Sequence, residues 1–126
     1  MAVVFDNGLE QGHDTPWIEI EPERDRVRVR CGGALDAPYA MQLRQDCEGL
    51  IQRGFTRVIL DLSRATEITL AVVSAIAAVN RTARAQGCRF SVAPGSGDVA
   101  MTLRRSGLLG LLQLEGATET FLDWSR

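Results

Sequence analysis

Residues 58–85 read VILDLSRATEITLAVVSAIAAVNRTARA, and this stretch decides the fold. Its first part, Val58 to Leu62, is β-branched and almost wholly apolar, which predicts a central strand covered on both faces. Residues Arg64 to Thr69 then predict a short polar loop. A helix is expected to begin near Thr69 or Leu70 and to end at Gly87. The first half of this helix is apolar nearly all round, so it should be deeply buried or covered by a partner.

Upstream of this stretch, the pattern predicts a hairpin followed by a helix. Trp17 to Glu21 and Arg26 to Cys31 alternate as strands and should pair antiparallel across a turn at residues 22–25, before Gly32-Gly33 breaks the pattern. Asp36 is suited to cap the helix that follows, and Gly54 to stop it. The buried stripe of that helix is predicted at Leu43, Cys47, Leu50 and Ile51.

Downstream, two further strands and two further helices are predicted. They are a strand at Cys88 to Ala93, a loop at Pro94 to Gly97, a helix at Val99 to Ser106 capped by Asp98 and stopped by Gly107, a strand at Leu111 to Leu114, and a short helix capped by Thr118. The order β-β-α-β-α-β-α-β-α predicts a single α/β domain with a mixed, mostly parallel sheet and helices packed on it. We expect residues 1–15 to be a loose leader and residues 16–126 to be the domain.

Composition narrows the function classes. The chain has 126 residues, 45% of them apolar and 24% charged, as in an ordinary globular domain. A net charge of −2 gives no basic footprint for nucleic acid. No apolar run is long enough for direct membrane insertion, and the first residues do not resemble a signal peptide, so the cytoplasm is the expected location.

Four arginines have even numbers, Arg24, Arg26, Arg28 and Arg30, so in a strand they would share one face. The simpler interpretation is a solvated face, with Val27 and Val29 pointing inward. A face that binds phosphate or lipid is the alternative.

Catalytic chemistry is hard to find in this sequence. The single histidine, His13, lies in the expected leader, so no general base stands beside a nucleophile. Asp36 and Asp61 lie at the ends of predicted elements, as a pair of catalytic carboxylates might. A helix cap at Asp36 and a loop anchor at Asp61 are the simpler explanation. Three cysteines without a Cys-x-x-Cys spacing predict buried structural thiols, with no disulfide framework and no metal site. We therefore expect a binding or regulatory module, with no cofactor, rather than an enzyme.

The ordered set of elements resembles the STAS family, the sulfate-transporter and anti-sigma factor antagonist domains. The matching pieces are Gly33 to Ala37, Val58 to Ser63, Arg81 to Gly87 and Leu103 to Leu108, within residues 17–116. The resemblance implies the STAS fold and an anti-sigma factor or an anti-sigma kinase-like protein as the partner. In stand-alone antagonists of the family, the loop after the central strand reads Asp-Ser-[Ser/Thr]-Gly-Leu, and its first serine is phosphorylated.

This chain lacks that motif. The aspartate position falls on Thr69, the phosphoacceptor position on Leu70, and the next two positions on Ala71 and Val72. One interpretation is a constitutive binder that cannot be switched at this position. Thr69 or Thr66 could be a displaced phosphoacceptor, although capping and turn chemistry is the simpler role for their hydroxyls.

The resemblance implies a partner-binding surface around the start of the second predicted helix. Its expected residues are Asp36, Ser63, Arg64, Thr66, Glu67, Thr69, Leu70, Ala71, Val73 and Ser74. Two other functions stay open. A structural subunit of a stressosome-like or transporter-associated complex, or a homodimer, would explain the apolar helix from Leu70 to Val79. Nucleotide binding would use the loop from Pro94 to Asp98.

Overall fold

The computed structural model describes residues 15–95 and 97–108, and in them four strands form one sheet in the order β1-β2-β3-β4. The strands are β1 (Trp17–Glu23), β2 (Arg26–Leu35), β3 (Arg57–Ile68) and β4 (Arg89–Ala93). The helices are α1 (Ala37–Gln52), α2 (Leu70–Gln86) and α3 (Asp98–Ser106). The predicted leader up to residue 14, the strand at residues 111–114 and the helix after Thr118 lie outside the described residues.

The sheet is mixed and mostly parallel, as predicted. β1 and β2 form an antiparallel hairpin, whereas β2, β3 and β4 run parallel. Because the crossovers through α1 and α2 step in the same direction along the sheet, right-handed connections place both helices on one face. The inward side chains of β2, β3 and β4 meet there and are buried: Val27, Val29, Val58, Leu60, Phe90 and Val92.

Helix α1 begins and ends where the sequence predicts. Asp36 is the N-cap, and its Oδ1 accepts a hydrogen bond of 3.1 Å from the N–H of Tyr39. The four predicted stripe residues are buried. Gly54, one residue beyond the C-cap, has φ of 102°, a conformation that glycine adopts at little cost. The Tyr39 hydroxyl donates to the carbonyl oxygen of Trp17 at 2.7 Å, which ties α1 to the edge strand.

The hairpin turn is shorter than predicted. β1 continues through Pro22 and Glu23, which were assigned to the turn, and Arg24 stands in the turn with φ of 61° rather than in a strand. Pro22 is tolerated because, within residues 15–95 and 97–108, β1 pairs with β2 alone, so the missing N–H interrupts no second ladder there.

The prediction that Gly32-Gly33 ends the second strand is wrong. β2 runs on to Leu35, and the indole of Trp17 lies over Gly32 so closely that a Cβ there would fall about 2 Å from the ring. Gly33 has φ of 84° and lies at a shift in the β2–β3 register. These glycines therefore let an aromatic ring cover the strand and let the strand bulge, instead of stopping it.

The arginine face of β2 is an ion-pair ladder with β1. In the antiparallel register, Glu19 lies opposite Arg30 and Glu21 opposite Arg28. Arg28 bonds Glu21 at 2.9 Å, and Arg30 bonds both glutamates at 3.2 Å. Burial acts to raise the pKa of Glu21, but hydrogen bonds from Arg28 and Arg30 outweigh it and lower that pKa. Val27 and Val29 point inward as predicted.

All three cysteines are buried and free of disulfides, as predicted. Burial raises the pKa of Cys31 to about 12 and raises that of Cys47 well above its ordinary value. These thiols stay protonated at neutral pH, which fits a packing role rather than a nucleophilic one.

Candidate functional site

The candidate site begins where β3 ends and α2 starts. Thr69 is the N-cap of α2, with extended backbone, and its N–H donates to the carbonyl oxygen of Leu35 at 3.3 Å. Its own carbonyl accepts from the N–H of Val72 at 3.0 Å. The capping role predicted for the Thr69 hydroxyl is not found, because that side chain makes no cap hydrogen bond. The backbone alone fixes the start of this helix.

Leu70 is the first residue of α2, and 76% of it is exposed. Ala71 and Val73 pack partly against the core, while Ser74 is exposed. The first turn contains no acidic residue, so no carboxylate faces the positive end of the helix dipole from within that turn. The surface here is therefore apolar at a position where helices commonly carry an acidic or polar side chain.

Asp36 is brought next to this helix start. Leu35 pairs with Ile68 in the β2–β3 register, so the residues that follow them, Asp36 and Thr69, begin α1 and α2 side by side. The structure thus groups Asp36, Thr69, Leu70, Ala71 and Ser74, five of the residues predicted for the partner surface.

Of the other predicted residues of that surface, Val73 lies on α2 and four lie along β3. The prediction of a polar loop after Leu62 is wrong, since β3 continues to Ile68 and pairs there with β2. Ser63, Arg64, Thr66 and Glu67 are exposed on this extension. A strand rises about 3.3 Å per residue, so Ser63 lies about 20 Å from the start of α2, with Thr66 and Glu67 between them.

Asp61 anchors the point where β3 passes the end of β4. Its carboxylate is buried, and Oδ1 accepts from the N–H of Ser63 at 2.9 Å. Gly95 passes directly over this point, with φ of 72°, and a Cβ there would lie 2.8 Å from the Cα of Ser63. Asp61 therefore anchors this point, as predicted. The chain can pass this close to Ser63 only because residue 95 is a glycine and has no Cβ.

The loop from Pro94 to Asp98 gives nucleotide binding no support among its described residues. Asp98 was predicted as the cap of α3, but it is the first residue of that helix, and Gly97 holds the cap position with φ of 76° and no side chain to donate or accept. The Asp98 carboxylate therefore occupies the first turn, where a phosphate would otherwise bind.

A shallow groove of about 400 Å³ runs between α1 and α2 from this site. Its floor is made of small side chains, and its walls include Met41, Arg44 and Arg81; the small residues are Ala37, Ala40, Ala71, Ser74, Ala75 and Ala78. Met41 is 68% exposed, so a second large apolar side chain borders the groove.

The sequence reasoning missed the α1 side of this groove. The available signal was Met41 itself, an apolar residue off the buried stripe of α1. Alanine or serine at positions 71, 74 and 78, at helical spacing, was a second signal, because small side chains on one face leave room for a groove.

Within residues 15–95 and 97–108, no three metal-ligating side chains come together. None of the three described helices is long and apolar enough to cross a bilayer. His13 lies outside the described residues.

Comparisons with known proteins agree with this architecture. The structure of the anti-sigma factor antagonist SpoIIAA in its unphosphorylated form aligns with a TM-score of 0.65 and 25% identity, over 72% of this chain and 81% of that one. An anti-sigma factor antagonist from Mycobacterium paratuberculosis aligns with a TM-score of 0.73 and 17% identity, over 88% and 97% of the two chains.

A sulfate transporter family protein from Wolinella succinogenes shares the fold at 14% identity and a TM-score of 0.61, over 74% and 75% of the two chains. No curated protein matches the chain. The family model described as "Mlab, STAS domain" matches residues 18–114. The chain therefore belongs to the STAS domain family.

Proposed function

We propose that this chain is a non-catalytic regulatory module of the anti-sigma factor antagonist kind, which binds a protein partner through the start of α2 and the α1–α2 groove. The observation that carries the proposal is the exposed apolar pair at this site, Leu70 and Met41. Leu70 directly precedes Ala71, which lines the groove that Met41 borders. A partner that covers the groove would cover both side chains.

The pair supplies useful binding energy. Full burial of a leucine or methionine side chain is worth about 1.5–3 kcal/mol. Leu70 is 76% exposed and Met41 68%, so most of that energy is still available to a partner. Together they would contribute about 2–4 kcal/mol, which corresponds to roughly 30- to 1000-fold in affinity.

The site has no hydroxyl at the position where STAS antagonists carry one. SpoIIAA has been solved in both an unphosphorylated and a phosphorylated form. Leu70, which stands at the equivalent position here, cannot accept phosphate. We therefore propose that phosphorylation at this position does not regulate partner binding in this chain, so that binding is constitutive in this respect.

Thr69 and Thr66 are the proposed displaced acceptors if a switch exists. Both are exposed, and the Thr69 hydroxyl is not used for capping. A phosphate on Thr69 would lie at the N-terminus of α2, where the helix dipole favours negative charge, and next to Leu70, where it would oppose an apolar contact. Mass spectrometry of protein purified from its native source would show which threonine, if either, carries phosphate.

The test is capture of partners by the tagged full chain from its native lysate, with identification by mass spectrometry. Leu70→Asp puts a charge into the proposed surface. Met101→Asp is the matched control, because Met101 is another exposed apolar residue, on α3. We expect an anti-sigma factor or an anti-sigma kinase-like protein to be recovered by the wild type and the control and to be lost with Leu70→Asp.

Other results would change the proposal. Recovery of transporter or stressosome components instead would make the chain a scaffold subunit. Self-association that light scattering shows to depend on Leu70 would make the surface a homodimer interface. A partner held equally well by Leu70→Asp would show that the partner binds elsewhere.

A further inference from the structure

Three adjacent parallel strands each begin with an arginine, and the three arginines are in register. Arg26 of β2 pairs with Arg57 of β3, and Arg57 pairs with Arg89 of β4. The next residues, Val27, Val58 and Phe90, all point into the core, so the arginines all point to the opposite face of the sheet. Neighbouring strands are about 4.8 Å apart, which places three guanidinium groups in one row at one end of the sheet.

This row contrasts with the other side of β2. Toward β1, each arginine of β2 lies opposite a glutamate, and this includes Arg26 of the row itself, which lies opposite Glu23. Toward β3 and β4, the residue opposite each arginine of the row is another arginine, so basic side chains are concentrated at this end of the sheet. An anion that bridged the row would interact favourably with several guanidinium groups at once.

The row lines a pocket of about 730 Å³, a volume typical of small-molecule sites. The pocket is open to solvent and is bordered by the β1–β2 turn and by the segments before β3 and β4; its lining includes Arg24, Asp25, Thr56 and Gly87. Among the residues that the structure describes, its charged side chains are four arginines and two carboxylates, an excess of two positive charges.

Both carboxylates of the pocket already have local partners. Glu23 bonds Arg26 at 3.1 Å, and Asp25 accepts from the Thr56 hydroxyl at 3.0 Å. The turn also holds Arg24 in the left-handed conformation, with φ of 61°, which residues other than glycine seldom adopt. Strained residues of this kind concentrate at ligand sites, and this one brings a fourth guanidinium to the pocket.

We propose that this pocket binds a phosphorylated ligand with at least two negative charges. Guanidinium groups suit this ligand because their forked N–H donors match the oxygens of a phosphate. The pocket lies at the start of β3, and the Leu70 surface follows its end, about 35 Å away along the strand. The site is therefore separate from the proposed partner surface, and the two proposals stand or fall independently.

The test is isothermal titration calorimetry of the full chain with sodium pyrophosphate at low ionic strength. Arg57→Gln combined with Arg89→Gln should weaken binding at least about tenfold, because two charge-assisted contacts are lost. Glu23→Gln should tighten binding, because it removes the carboxylate that competes for Arg26. Arg104→Gln, on the exposed surface of α3, is the control that should change nothing. Circular dichroism of each variant would confirm that it folds.

A second experiment distinguishes a free phosphorylated ligand from a lipid headgroup. It measures sedimentation of the protein with phosphatidylcholine vesicles that contain phosphatidic acid. Pyrophosphate binding that depends on Arg57 and Arg89 supports a free phosphorylated ligand. Vesicle binding with the same dependence supports a lipid headgroup. Absence of both, or an equal loss of binding in Arg104→Gln, would overturn the proposal.

Discussion

Replacing Leu70 with aspartate should leave the fold intact although it converts a large apolar residue into a charge. Because Leu70 is 76% exposed, the fold loses only about a quarter of the 1.5–3 kcal/mol that a buried leucine provides, or about 0.5 kcal/mol. The lower helix propensity of aspartate costs a few tenths of a kcal/mol, about 0.3. A carboxylate in the first turn of α2, which has no acidic residue, returns about 0.3–1 kcal/mol through the helix dipole.

The net change in the free energy of unfolding is therefore within about 0.5 kcal/mol of zero. For a domain of this size, that shifts the melting temperature by less than about 3 °C. Thermal unfolding followed by circular dichroism measures it directly on the protein alone, without any partner.

Ile68→Asp is the matched control. Ile68 lies two residues earlier and is only 9% exposed, so a carboxylate there would be buried without a partner. We expect it to cost about 3 kcal/mol or more and to lower the melting temperature by about 10 °C or more. If Leu70→Asp lowered the melting temperature as far as Ile68→Asp does, Leu70 would be a packed residue, and the exposed surface on which the proposed function rests would not exist.

Three further outcomes follow from the contacts of α1 and from the buried thiols. Asp36→Ala should lower the free energy of unfolding in urea by about 1 kcal/mol, because an N–H of α1 loses its cap, and Asp36→Asn should restore most of it; an unchanged midpoint would contradict the capping role. Tyr39→Phe should cost about 1–2 kcal/mol and speed hydrogen exchange in β1, because the carbonyl at the start of that strand loses its 2.7 Å bond; equal exchange rates would show that the bond does not hold the edge strand. The raised pKa of Cys31, about 12, means that the unfolded chain releases its thiol proton first as pH rises, so stability should hold up to pH 9 and then fall; Cys31→Ala should reduce this fall, which urea unfolding between pH 7 and 10 would measure.

Local chemistry explains why α1 and α2 could be placed from the sequence. The capping aspartate, the stripe of apolar residues and the glycine stops all act within a few residues of one another, so they can be recognised without knowing the rest of the fold. The same holds for the alternation of arginine and valine in β2.

The extension of β3 could not be predicted in this way. Residues 64–67 are mostly polar, and only the pairing with Gly32 to Leu35 makes them a strand. At the start of this pairing, the indole of Trp17 covers Gly32, so three separate parts of the chain meet there. Polar sequence next to a strand is normally a loop, and here a non-local partner overrides that tendency.

The two surfaces proposed for binding also depend on pairing that the sequence does not display. The arginine row requires the exact register of three strands, since a slip of one residue would put one arginine on the core face. The groove requires α1 and α2 to be neighbours on one face of the sheet. The sequence analysis predicted neither the row nor the groove, because only the assembled sheet brings their residues together.

The junction between β3 and α2 determines how rigid the surface around Leu70 is when a partner binds. Ile68 is still paired with Leu35, and the N–H of Thr69 bonds the same residue, so the chain is held by the sheet up to the residue before the helix. Leu70 thus stands at a junction where no flexible loop has to become ordered on binding. Binding at a preorganised surface loses little conformational entropy, so complex formation at Leu70 should proceed as a rigid docking step.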